Sequence, residues 1–188
     1  LVRPAPRAGR NVIGERAPAP LIVTAELPTD LFSWANQLRQ DYFPPERNYL
    51  KAHVTLFHAL PPSCEGELRD CLKELARDNP PVPARLEGVM KLGKGTALKL
   101  ASPVMIDLWQ QMADRFHGLL TPQDEHKPRL HVTVQNKVSI EEAKALQAQL
   151  APRVEPRDFT FAGLGMHAYL GGPWERLGNF PFRGHNRR

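Results

Sequence analysis

Two triplets in this chain could perform acid–base chemistry as a pair. His53-Val54-Thr55 and His131-Val132-Thr133 repeat the same letters, each inside an apolar run, "AHVTL" at 52–56 and "LHVTV" at 130–134. In an extended strand, residues i and i+2 share a face. Each imidazole therefore stands beside its own threonine hydroxyl, while the valine between them points the other way. Displacement at a phosphodiester needs a base for the attacking oxygen and an acid for the departing one, on opposite sides of phosphorus. Imidazole, titrating near pH 6.5, serves either role around neutrality. A threonine hydroxyl can donate to a non-bridging oxygen as charge develops there.

A lone His-x-Thr is a weak signal. With seven histidines and seven threonines, random placement yields one in roughly a quarter of such sequences. Two copies in matching strands of two similar halves are a much sharper one. The other histidines lack such a partner: His58 falls on the opposite strand face from His53, and His117, His126, His167 and His185 stand alone, so core or surface roles are expected for them. Two histidines could also begin a zinc site. Neither triplet has a third ligand in register, however, and HExxH and His-x-His spacings are absent. No metal or other cofactor is expected. P-loop, GxGxxG and GxSxG motifs are also missing, and "GKGT" at 93–96 lacks phosphate-loop spacing and precedes a strand.

Each half of the chain reads strand, helix, His-strand, helix, strand. In the first, the strand at 21–28 ends at Pro28, and Asp30 is placed to cap a helix with Leu31, Trp34, Ala35, Leu38 and Tyr42 on one stripe. Pro44 and Pro45 stop that helix. The His53 strand, a helix over about 65–79 and a strand at 84–93 come next. In the second half come a strand at 96–102 and a helix at 103–120. A loop then leads to the His131 strand and a helix at 139–150, where Ser139 and Glu142 have capping-box spacing. Residues 157–170 read as a strand pair or one bent strand, and a last strand lies near 174–180. "KLGKG" at 91–95 suits a hairpin turn between the halves.

This pattern predicts an α+β, bilobal, pseudo-twofold duplicated fold, with two antiparallel sheets lining a central cleft and helices outside. One domain over 19–182 is expected, its lobes formed by two interleaved repeats at about 19–93 and 94–182. A Pro/Arg-rich arm (1–18) would precede it and a short tail (183–188) would end the chain.

With 41% hydrophobic and 24% charged residues the chain lies in the globular range. Its net charge of +5 and pI of about 9.5 suit an anionic partner. Cys64 and Cys71, seven apart on a helix, would sit about 10 Å apart along the axis, too far for a disulfide. They read as reduced thiols, which fits the cytoplasm. No apolar run approaches 18 residues, so no membrane span is expected. The first residues, which begin without Met as a trimmed chain would, lack the continuous apolar stretch of a signal peptide. A cytoplasmic monomer is the expectation.

At "HVTLF" (53–57) and "HVTVQ" (131–135) the sequence resembles the two-histidine phosphoesterase superfamily, which includes the bacterial 2′–5′ RNA ligase-like proteins and cyclic phosphodiesterases. That resemblance implies His53 and His131 as the acid/base pair and Thr55 and Thr133 as phosphate-binding hydroxyls. It implies metal-independent action on 2′,3′-cyclic or 2′–5′ phosphodiesters of a nucleotide or short RNA. One departure is that relatives often carry proline before the first histidine, where this chain has Ala52; Leu130 precedes the second. The same site could ligate RNA, or bind nucleotide without turnover. For the rest of the substrate, Lys51 and Arg129 each lie two before a motif histidine, on the cleft face of an extended strand. Gln135 and Phe57 occupy matching places two after each threonine, the first suited to hydrogen bonding with a base or ribose and the second either to stacking on a base or, as favoured for a phenyl ring in an apolar strand, to core packing. Tyr169 and Trp174 flank "LGGP", a turn bordering the cleft.

Overall fold

The computed structural model describes residues 17–185, so most of the expected N-terminal arm and residues 186–188 lie outside the described residues. In chain order the elements are β1 (Leu21–Glu26), α1 (Thr29–Tyr42), β2 (Val54–Leu60), α2 (Glu65–Asp78), β3 (Val82–Lys91), β4 (Thr96–Ala101), α3 (Pro103–Arg115), β5 (His131–Gln135), α4 (Ile140–Leu150), β6 (Arg157–Phe161), β7 (Gly163–Tyr169) and β8 (Trp174–Pro181). The Ser139–Glu142 capping box is present at the start of α4. The β3–β4 turn closes with Leu92 N–H on the Gly95 carbonyl.

Three local expectations are corrected, and the choice between two strands and one bent strand at 157–170 is decided for two. Pro28, held extended, takes the N-cap position of α1, so Asp30 lies inside the first turn and meets Arg157 at 3.4 Å instead of capping. Helix α3 ends at Arg115, short of residue 120. Phe116 turns into the core and Gly118 adopts a φ of +83°, which a helix cannot continue through. The run at 157–170 breaks at Ala162 into two strands that join different sheets. Residues 183–184 are no free tail, because Arg183 and Gly184 N–H groups bond the Ala76 and Asn79 carbonyls at the end of α2.

The strands form two four-stranded antiparallel sheets, β2-β1-β7-β8 and β5-β4-β3-β6. This is the α+β arrangement of two sheets and four helices read from the pattern. The sheets do not coincide with the halves of the chain. Strand β3 leaves the first half to pair with β4, and β7 and β8 return to pair beside β1. The register repeats across the pseudo-twofold: Val54 faces Ala25 and Thr55 faces Thr24, as Val132 faces Leu98 and Thr133 faces Ala97. Helix α2 packs on β7 and β8, while α3 and α4 pack on β3. Helix α1, which comes after a strand of the first sheet, packs against β5 of the second. Conversely Phe57 of β2 stacks on Trp109 of α3, with ring centroids 5.9 Å apart. Among the described residues no helix is long and apolar enough to cross a membrane.

Both motif strands are edges of their sheets, and they pack against one another where the sheets meet. An edge strand carries backbone groups that lack a ladder partner, and burying them unpaired is costly. Each repeat closes the other's edge with one buried charge. The Asp124 carboxylate, in the loop before β5, accepts the His58 and Ala59 N–H groups of β2 at 2.8–2.9 Å and the His58 imidazole at 2.9 Å. Its side chain is 1% exposed. Burial alone would raise its pKa, but the side-chain and backbone hydrogen bonds from His58 and the backbone bond from Ala59 outweigh that and hold it below the ordinary value. From the other side, Arg39 of α1 donates to the Thr133 carbonyl of β5 at 2.7 Å, to the Leu50 carbonyl at 3.1 Å and to the Asn48 side chain at 2.9 Å.

Removing the Asp124 carboxylate would orphan two edge-strand amides and His58. Asp124→Ala is expected to lower the free energy of unfolding by about 2–5 kcal/mol. Asp124→Asn, which keeps one acceptor oxygen, should lose less. Urea denaturation of the three proteins checks both the loss and its order.

Candidate active site

The chain reaches His53 and His131 at the entry to their strands, and both rings are held the same way. His53 Nδ1 lies 2.7 Å from the Lys51 carbonyl and His131 Nδ1 lies 2.6 Å from the Arg129 carbonyl. A carbonyl only accepts, so each Nδ1 carries a proton. The other nitrogen, Nε2, is left to exchange protons with whatever occupies the cleft. Both histidines and both motif threonines are partly exposed between buried neighbours Ala52, Val54, Leu56 and Leu130, Val132, Val134. The alternation thus places imidazole and hydroxyl on the open face and aliphatic side chains in the core. Sequence alone could not show these carbonyl contacts.

After each threonine the alternation fails, and it fails identically in both strands. Thr55 and Phe57 oppose the adjacent residues Thr24 and Val23; Thr133 and Gln135 oppose the adjacent Ala97 and Thr96. Each motif strand therefore has one extra residue, Leu56 or Val134, a bulge that rotates the side chains beyond it. Phe57, suited to base stacking or to core packing, takes the core role and is fully buried against Trp109. Gln135, expected to reach a ribose or base, is buried and accepts the Thr96 hydroxyl at 3.2 Å. Neither borders the cleft.

Two unequal pockets flank the motifs. The one beside His53 has a volume of about 550 Å³ and is bordered by Lys51, Trp174, Phe32 and Tyr49. The Trp174 ring lies 4.6 Å from His53 and 5.4 Å from His167. Tyr169, the cross-strand neighbour of Trp174, is exposed and borders neither pocket. Arg129 borders the other pocket, beside His131.

The pocket beside His53 also contains a polar cluster that sequence reasoning missed. The Thr24 hydroxyl donates to Glu26 at 3.0 Å and so accepts from His167 Nε2–H at 3.0 Å; Arg176 donates to the other Glu26 oxygen at 3.0 Å. A Cβ at Gly165 would collide with Glu26, Thr24 and His167, so only glycine lets this cluster form. Burial first, then the Arg176 charge, lowers the His167 pKa against the opposing pull of Glu26. A solitary histidine in an apolar strand gave no hint of this. Its signal would have been the neighbouring Gly163 and Gly165, glycines where a strand normally carries side chains.

Arg39 was also invisible, read only as part of a helix. It is 3% exposed, lies 4.3 Å from the Phe43 ring centre, and burial lowers its pKa to about 10. Its bonds to the Leu50 and Thr133 carbonyls brace the approach to His53 and the second motif together. Its charge acts on the first histidine too. Burial lowers the His53 pKa to about 4, the Lys51 carbonyl opposes this, and Arg39, His167 and His131 push it further down. His53 is therefore neutral near pH 7. Its unfolded pKa of about 6.5 exceeds the folded one, so the unfolded chain binds the extra proton. Stability should fall as pH drops from about 6.5 towards 4. In an NMR titration the His53 ring signals should stay those of neutral imidazole down to about pH 4; a midpoint near 6.5 would contradict the burial argument.

A family model described as the 2′–5′ RNA ligase superfamily matches residues 27–173. No curated protein matches the sequence. Among solved structures, TT0787 of Thermus thermophilus is 18% identical with a TM-score of 0.61, over 89% of this chain and 100% of its own. E. coli LigT complexed with 3′-AMP is 18% identical with a TM-score of 0.58, over 88% and 99%. A structure described as a phosphoesterase is 16% identical with a TM-score of 0.56, over 88% and 99%. At such identities these structures share its fold.

Proposed function

The chain belongs to the 2′–5′ RNA ligase superfamily, and on that footing we propose that it is a two-histidine phosphoesterase acting on 2′,3′-cyclic or 2′–5′ phosphodiesters of a nucleotide or short RNA. The observation that carries this reading is the duplicated tautomer lock: two imidazoles, each with Nδ1–H on a carbonyl two residues back and Nε2 left over, each beside a threonine hydroxyl. Binding alone would not call for two proton-transfer groups held alike.

In this reading His53, kept neutral by burial and by the cations around it, is the general base. It takes a proton from water or a ribose hydroxyl as that oxygen attacks phosphorus. His131 protonates the oxygen whose bond to phosphorus breaks. The proton taken at one ring and the proton given at the other balance, and the rings return to their starting states by exchange with solvent. Thr55 and Thr133 donate to the non-bridging oxygens. No metal ion takes part. The nucleoside occupies the pocket beside His53, where Trp174 offers a ring face to the base and Lys51 a charge to phosphate. One fold relative, LigT, has been crystallised with 3′-AMP.

His53→Ala and His131→Ala should each lower kcat/KM at least about a thousandfold while remaining folded, within the range of losing a general acid or base. Trp174→Ala should raise KM about tenfold, the scale of one lost base stack. The acid limb of kcat/KM should lie near pH 4, where His53 takes up its proton. The assay is chromatography of products from 2′,3′-cyclic nucleotides and 2′–5′ dinucleotides in EDTA. Activity abolished by the chelator and restored by zinc would refute the scheme.

A further inference from the structure

The two pockets are counterparts under the pseudo-twofold that relates the motifs. Each is built where a repeat's first strand passes into a helix, beside the two residues that precede a motif histidine. Phe32 in one matches Ile106 in the other, Lys51 matches Arg129, and Glu26 at the end of β1 matches Lys99 on β4. Duplication alone would have kept them alike, yet their chemistry has separated.

The pocket beside His53 has three aromatic rings, Phe32, Tyr49 and Trp174. The pocket beside His131, about 470 Å³, has none. Its charged lining is Lys99, Lys127, Arg129 and Asp107, three cations to one carboxylate. Lys99 is the direct cross-strand partner of His131 and shares its face of the sheet. Lys99 pairs with Glu87 at 2.8 Å. Lys127 and Arg129 have no ion-pair partner among the described residues, and both are exposed. A pocket without rings and with surplus positive charge suits phosphate, not a base.

We propose that the pocket beside His131 is a subsite for a second phosphate, so that the preferred substrate is an oligonucleotide spanning both pockets: a nucleoside against Trp174, the reacting diester between the histidines, and the next phosphate of the chain at Lys127 and Arg129. This rests on the phosphoesterase reading above and narrows it. A mononucleoside 2′,3′-cyclic phosphate fills only the first pocket and is the minimal substrate.

The test compares kcat/KM for a 2′–5′ dinucleotide with the same dinucleotide bearing an added 5′- or 3′-terminal phosphate, at two salt concentrations. One phosphorylated form is expected to be at least about tenfold better than the unphosphorylated one. In Lys127→Ala and Arg129→Ala that advantage should shrink towards one, and the salt slope should fall by about one per cation removed. The variants change exposed side chains, and unchanged thermal midpoints establish that they fold. The proposal is overturned if neither terminal phosphate improves turnover, or if the advantage survives both substitutions. Turnover of cyclic mononucleotides without turnover of any dinucleotide overturns it while leaving the phosphoesterase reading intact. If no substrate of either kind is turned over with dependence on His53 and His131, both readings fall together.

Discussion

The site depends on how two exposed sheet edges are closed. Strands β2 and β5 bring the two motif histidines to the junction of the sheets as edge strands, and an edge leaves backbone groups without ladder partners. Hydrophobic packing cannot satisfy them. Asp124 and Arg39 do, one accepting from β2 and the other donating to β5. Each comes from the repeat that does not own the strand it closes. Buried charges of this kind add little net stability compared with apolar packing, but they fix register and orientation. Under the proposed mechanism, two imidazoles acting on opposite sides of one phosphorus need that directional hold.

The same constraint explains why the site is symmetric at its centre and asymmetric around it. At the centre, carbonyl, imidazole and hydroxyl recur in the same order in both motifs, and both strands carry a bulge immediately after the threonine. Backbone geometry produces these features, so duplication preserves them. One register step away, side chains decide. Thr24 stands where the other sheet has Ala97, and Glu26 stands where it has Lys99. The first sheet consequently builds a hydrogen-bonded cluster with His167, and the second exposes cations. Burial first, and then the charges of Arg39, His167 and His131, lower the proton affinity of His53.

Much of this could be read from the letters. The two triplets, the helices and the hairpin at residues 91–95 were legible because periodicity and turn residues are local signals. So was the division of each triplet into a cleft face and a core face. Gln135 was misplaced, and the choice between core and cleft for Phe57 was open, because a bulge is not written in composition; it arises from pairing with β1 and β4. That the repeats interleave was expected, but that β3 is the strand that crosses was hidden, since strand pairing is decided across the whole chain. Arg39 and Asp124 look like surface residues in sequence. Only the fold reveals that each is buried against a strand more than sixty positions away.

That crossing has a consequence for how such a molecule can exist at all. In each sheet the central pair joins the opening strand of one repeat to a later strand of the other: β1 with β7 and β4 with β3. A chain carrying one repeat alone would lack the partner its third strand has here, and could rebuild these pairings by entwining with an identical copy. Such a homodimer would be bound to have two identical side chambers. Fusing the copies into one polypeptide removes that obligation, so that one chamber can be lined with rings and its twin with cations.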